Sequence, residues 1–178
     1  MNIANKITLV RIFLVPFFLI FKLTDFTPYN AIIAFAIFVI ATITDKIDGT
    51  IARKYNLVTD FGKFLDPIAD KLLVSSALIC LTTDGTVPAW ITIVIIGREF
   101  IVSAFRLVCA DTGKTVAASW WGKSKTIVQM ASIIVLLLNV PQLNIIGNIL
   151  VYVSVVLTIV SLVDYFVKNK EVLKQCSK

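Results

Sequence analysis

The sequence predicts an all-α integral membrane protein of six transmembrane helices, with a short surface helix at the N-terminus. Three observations carry this. Apolar runs of about twenty residues recur along the chain, long enough to span a bilayer and too long for the core helices of a small globule. Only 16 % of the 178 residues are charged, where a soluble domain carries roughly a quarter, and the mean hydropathy is +0.90. The charges that are present gather at one set of run ends.

The elements follow in order. MNIANKITLVRIFLVPFFLIF has the length of a signal peptide, but Arg11 interrupts its apolar stretch and no small-residue cleavage site follows. It is expected to be a surface helix running into a first span over residues 8–23. Further spans are expected over 31–52, 62–81, 88–109, 124–140 and 145–167, all within one catalytic domain covering 1–178. The connections DFTPYN, TTDGTVP and NVPQLN carry the Pro, Asn, Asp and Gly that turns between apolar helices need.

Orientation comes from the cations. Lys6 and Arg11, the group from Lys46 to Lys71, the group from Arg98 to Lys125 and the lysines after Asp164 all fall on one side, and only Lys22 falls on the other. Basic loops stay cytoplasmic, so both termini and the segment 45–70 are expected to face the cytoplasm. An even number of spans requires the same. The net charge of +6 is then accounted for by loop placement and anionic lipid, with no nucleic-acid partner needed. Trp120 and Trp121 are expected at the membrane interface, and the Lys-rich tail as a cytoplasmic anchor.

The absences narrow the chemistry. There is no histidine, which removes the commonest general base and transition-metal ligand. Cys80, Cys109 and Cys176 show no paired spacing, and are expected as free thiols and not as a disulfide framework or zinc site.

Five aspartates and four basic residues crowd into DKIDGTIARKYNLVTDFGKFLDPIAD, residues 45–70. Asp45 and Asp48 are spaced i, i+3, and Asp66 and Asp70 i, i+4, so each pair shares one side of a helix. Gly49 and Ala52 fall beside the first pair. Gly62 falls beside the second if the third helix begins early enough, a condition that Pro67 puts under strain. Asp60 is expected to cap that helix. A short link makes the two helices antiparallel neighbours, and four carboxylates brought together repel unless a cation lies between them. Oxygen donors without His or Cys suit a hard divalent ion, Mg²⁺ or Mn²⁺, and such ions commonly bridge carboxylate and phosphate. Arg53 is suited to bidentate phosphate contact. A solvated polar loop is the plain alternative, but it gives no reason for matched faces with small residues between them.

The run Asp45-x2-Asp48-Gly49-x2-Ala52-Arg53-x8-Gly62-x3-Asp66-x3-Asp70 resembles, without gap or mismatch, the signature of the CDP-alcohol phosphatidyltransferases. That resemblance implies a CDP-alcohol phosphotransferase-like fold, and replacement of the CMP of a CDP-linked lipid by an alcohol in a cytoplasm-facing, metal-dependent cavity. It implies that Asp45, Asp48, Asp66 and Asp70 hold the metal, with Asp70 also the general base. It places Asp48, Gly49, Ala52, Arg53 and Gly62 around CDP, and it implies a homodimer in a bacterial cell membrane. Asn5, Thr8 and Arg11 share one helical side and are expected either to close the nucleotide pocket or to anchor a surface helix.

For the acceptor, Arg98 and Arg106 sit in or near the fourth span, and Lys123 and Lys125 begin the fifth. Cations there are costly and usually face a cavity or a partner. Arg98, Arg106, Lys123 and Lys125, with Arg11, are candidates for holding a second phosphate, and pairing of Arg98 or Arg106 with Glu99 is the structural alternative. IGREFIVSAFRLVCA, VAASWWGKSKT, VQM, NKITLVR and Pro16 are similar to the phosphatidylglycerophosphate synthases within the family. The similarity implies CDP-diacylglycerol and sn-glycerol 3-phosphate as substrates. Serine, inositol phosphate or phosphatidylglycerol as acceptor, and a divalent-cation transporter, are the competing readings.

Overall fold

The computed structural model describes residues 3–54, 60–111 and 119–170, with side chains for 8–44, 68–107, 109 and 119–170. The described residues form six helices and no strand: α1 (Ile3–Leu23), α2 (Asn30–Lys54), α3 (Asp60–Thr83), α4 (Ala89–Asp111), α5 (Trp120–Leu137) and α6 (Pro141–Lys168). Each coincides with one expected span. The segment expected to lie on the surface is continuous with the first span, and α1 runs unbroken through Arg11 and Pro16. Asp60 is the first residue of α3 and not the residue before it. Pro141 belongs to α6, where its fixed φ and missing N–H suit a first turn.

The short links 24–29, 84–88 and 138–140 fold α1 on α2, α3 on α4 and α5 on α6 as hairpins. Asn30 closes the first link by accepting from the backbone N–H and hydroxyl of Thr27. In the second, Gly85 takes a φ of +73°, the left-handed helix-ending conformation that glycine adopts at no steric cost. Each helix packs on two neighbours in the order α1, α3, α4, α6, α5, α2, and the ring closes on α1. α3 also touches α2 and α5 across the ring, which puts it at the centre of the bundle.

The apolar core draws on all six helices, with Phe18, Phe38, Leu73, Leu78, Ile91, Ile133 and Val151 buried together. Phe18 and Phe38 meet at a ring distance of 6.0 Å. Gly147 lets α6 approach α5 closely, since a Cβ there would lie 2.8 Å from Leu136 Cγ. Buried hydroxyls on α6 are satisfied within their own helix: Ser154 donates to the carbonyl of Val151, Thr158 to that of Ser154 and Ser161 to that of Thr158.

The exterior is apolar as well. Phe13, Ile93, Phe100, Ile127, Ile149 and Val163 are all exposed. Among the described residues one helix, Pro141–Lys168, is by itself long and apolar enough to cross a membrane. Lys22, the one cation assigned to the opposite end, is 2.5 Å from Asp84 and ties α1 to the α3–α4 turn. Cys80 is a buried free thiol and Cys109 is buried, while Cys176 lies outside the described residues.

Candidate active site

The signature is carried by the end of α2 and the start of α3, two helices that touch. Because α2 continues to Lys54, Asp45, Asp48, Gly49 and Ala52 occupy consecutive turns on one side of a regular helix. α3 begins at Asp60 and runs through Pro67, so the condition for Gly62, Asp66 and Asp70 to share a side is met. The side chains of Asp45, Asp48, Arg53 and Asp66 lie outside those described, as does that of Asn5. Among the described residues no three His, Cys, Asp or Glu side chains are grouped as metal ligands.

Asp70 is described and half-buried, and with Lys71 it lines a cavity of about 460 Å³. The opposite walls come from α4 (Arg98, Glu99, Arg106) and from the first turn of α5 (Ser119, Gly122, Lys123). α4 and α5 do not pack against each other among the described residues; long side chains bridge the gap between them. Glu99 accepts at Oε1 from Lys125 Nζ of α5, and Arg98 Nη1 lies 3.5 Å from the same oxygen. Lys125 is fully buried and Glu99 is 25 % exposed. Removing one partner of such a pair leaves the other charge uncompensated, a cost of about 3–5 kcal/mol when both are deeply buried.

Arg98 is 8 % exposed, and its Nε has no hydrogen-bond partner among the described residues. Its guanidinium is accommodated by the absence of a side chain at Gly122: a Cβ there would lie 3.3 Å from Nη2. Ser119 caps α5, its Oγ accepting from the Gly122 N–H at 3.1 Å. A helix N-terminus, a buried arginine and an exposed lysine thus border one space, an arrangement suited to an anion. Arg106 is exposed beside the buried Tyr165 of α6. Toward the bundle centre a smaller cavity of about 50 Å³ shares Asp70, Lys71, Glu99 and Thr126, and continues among Val74, Leu78, Ile95 and Met130.

Of the cations expected around a second phosphate, Arg98, Arg106 and Lys123 meet Asp70 at one cavity. Lys125 does not line it and is held by Glu99; the expected counter-ion role of Glu99 therefore extends to a lysine on another helix. Thr8 and Arg11 are each 1 % exposed on α1 and are not among the lining residues. Lys71, Gly122 and Thr126 escape sequence reasoning. Only the position of Lys71 beside Asp70 could have signalled it, since Gly122 and Thr126 gain meaning from what packs near them.

Comparison with known proteins bears on the same residues. The sequence matches the CDP-alcohol phosphatidyltransferase family profile over residues 1–160. It is 46 % identical over 188 residues to the CDP-diacylglycerol–glycerol-3-phosphate 3-phosphatidyltransferase of Bacillus subtilis, covering 97 % of each chain. The protein of that name from Rickettsia bellii is 39 % identical over 170 residues, with 93 % of each covered. A probable phosphatidylglycerophosphate synthase of Mycobacterium tuberculosis is 42 % identical over 168 residues, covering 92 % of this chain and 79 % of the relative. A profile match that takes in α1 to α5 and most of α6, and relatives aligned along nearly the whole length, reach far beyond a shared motif: the chain belongs to the CDP-alcohol phosphatidyltransferase family and is an enzyme of that type.

Proposed function

We propose that this enzyme transfers the phosphatidyl group of CDP-diacylglycerol to sn-glycerol 3-phosphate, giving phosphatidylglycerol phosphate and CMP. The observation that carries the reading is the meeting of Asp70, a signature carboxylate, with Arg98, Arg106 and Lys123 around one cavity. A base at one wall and cations at the other suit an acceptor with a hydroxyl at one end and a phosphate at the other. Serine brings no phosphate for these cations, and phosphatidylglycerol would call for an apolar entry. The names of the Bacillus and Rickettsia relatives state the same pair of substrates.

In this reading the Asp70 carboxylate takes the proton of the attacking hydroxyl. The hydroxyl oxygen bonds to the lipid-side phosphorus, the bond from that phosphorus to the bridging oxygen breaks, and CMP leaves with that oxygen. Arg98, Arg106 and Lys123 hold the acceptor phosphate, aided by the N–H groups of the first turn of α5. Asp48, Gly49, Ala52, Arg53 and Gly62 surround the CDP group, with Asn5 and Thr8 closing it from α1. Arg11, although buried away from the acceptor cavity, adds positive charge from the same helix.

Asp45, Asp48, Asp66 and Asp70 form an all-oxygen donor set without sulfur or imidazole, which fits Mg²⁺ or Mn²⁺. When bound, such an ion supplies charge neutralisation to the pyrophosphate and the departing nucleotide.

The apolar exterior of every helix supports a bilayer location with six spans, both termini and the cavity facing the cytoplasm. The homodimer rests on the family resemblance. The direct test is CMP release by the purified full chain in detergent, given CDP-diacylglycerol, Mg²⁺ or Mn²⁺ and a panel of alcohols. Release with glycerol 3-phosphate is expected. No release with any acceptor would sink the reaction, and release with serine alone would sink the acceptor.

A further inference from the structure

We propose that Glu99 selects the acceptor: its second carboxylate oxygen, Oε2, accepts a hydrogen bond from the hydroxyl of glycerol 3-phosphate that does not attack. The inference rests on the function proposed above and adds a residue role to it. A carboxylate is an odd lining for a pocket that must attract a phosphate, because it repels the ligand at close range. Glu99 nevertheless borders both the large cavity and its inner extension, and in each of them Asp70 is also on the wall.

The two oxygens of Glu99 are not equivalent. Lys125 Nζ and Arg98 Nη1 both approach Oε1. Oε2 has no hydrogen-bond partner among the described residues, and Glu99 keeps 25 % of its surface open. Lys125, with no exposed surface of its own, bonds to the other oxygen of this carboxylate and fixes its orientation. A structural counter-ion alone would need neither the open oxygen nor a position on the cavity wall.

The chemistry of the acceptor supplies the partner. Glycerol 3-phosphate carries two hydroxyls, one attacking at C1 and one at C2. With the phosphate among Arg98, Arg106 and Lys123, the hydroxyl end lies toward Asp70 and Glu99, which then divide the two protons between them. A carboxylate acceptor on a hydroxyl makes a charge-assisted bond, which favours substrates that carry that hydroxyl over isosteres that lack it.

The test compares glycerol 3-phosphate with 3-hydroxypropyl phosphate, which keeps the attacking hydroxyl and the phosphate but has no C2 hydroxyl. The readout is kcat/KM from CMP release by the full chain in detergent. The unaltered enzyme is expected to prefer glycerol 3-phosphate on the order of 10- to 100-fold, the range of one hydrogen bond to a charged group. In the paired variant Glu99→Met/Lys125→Met, which removes both charges together and so strands neither, the preference is expected to fall below about 3-fold, while KM for CDP-diacylglycerol holds within about 2-fold.

Equal use of the two acceptors by the unaltered enzyme overturns the inference. So does a paired variant that melts cooperatively and keeps the original preference, since Glu99 is then only the counter-ion of Lys125. If the paired variant does not fold, Glu99→Gln decides: the neutral amide is expected to reduce the preference severalfold, and an unchanged preference overturns the inference. Absence of CMP release with both compounds in the unaltered enzyme overturns the proposed function itself, an outcome distinct from equal use.

Discussion

Gly122→Ala sets stability and function moving in opposite directions, which makes it a sharp test of the proposed acceptor-phosphate site. Gly122 is in the first turn of α5, and an added Cβ would lie 3.3 Å from Arg98 Nη2 and 3.5 Å from Ser119 Oγ. Neither distance is a hard clash, so the guanidinium is expected to retreat by a few tenths of an ångström. A hydrogen bond between charged groups contributes about 1.5–3 kcal/mol, and lengthening it by that amount forfeits about a third to a half, or about 0.5–1.5 kcal/mol. At 1.4 kcal/mol per factor of ten, KM for glycerol 3-phosphate should rise about 2- to 10-fold. The fold should not suffer, because alanine is favoured over glycine in a helix by about 0.5–1 kcal/mol. The assay is CMP release with each substrate varied in turn, alongside a thermal melt in detergent. A melting temperature that holds or rises, an acceptor KM that rises and a CDP-diacylglycerol KM that does not is the expected pattern. Unchanged acceptor KM, or equal rises for both substrates, would refute the placement of the phosphate between Arg98 and the start of α5.

Three other outcomes follow from the same geometry. Asp70→Asn should lower kcat by at least about 10²-fold, the usual worth of a general base, while binding of CDP-diacylglycerol remains measurable; full activity would remove Asp70 as the base. Arg106→Ala should raise KM for glycerol 3-phosphate more than KM for the CDP-lipid, and equal changes in initial-rate measurements would count against an acceptor-phosphate role. Gly147→Val should lower stability by about 1–3 kcal/mol through overpacking, because even its Cβ would stand 2.5 Å from Leu136 Cδ2. An undiminished melting temperature would mean that α5 and α6 can part without cost.

Much of this protein is legible before folding. Apolar runs separated by Pro, Gly, Asn and Asp set where each helix lies, because those residues end helices and the runs between them supply the buried faces. The spacing of Asp45, Asp48, Asp66 and Asp70 is likewise a property of the chain. Helical periodicity turns intervals of three and four into shared faces, and α2 and α3 are helical through all four positions. Residue type alone was enough to rule out histidine chemistry.

What sequence could not assign was which of several similar cations does which job. Lys123 and Lys125 are two residues apart and look interchangeable, yet one lines the cavity and the other is buried against Glu99. The difference is a rotation of about 200° around α5, and its consequence depends on where α4 stands. Arg98 reaches the cavity because Gly122, 24 positions along the chain, leaves room for it. Runs and intervals are local, so the chain by itself determines helices, faces and the signature. Ion pairs and cavity walls join residues on helices separated in sequence, and so only the packing of α3, α4 and α5 decided which charges meet.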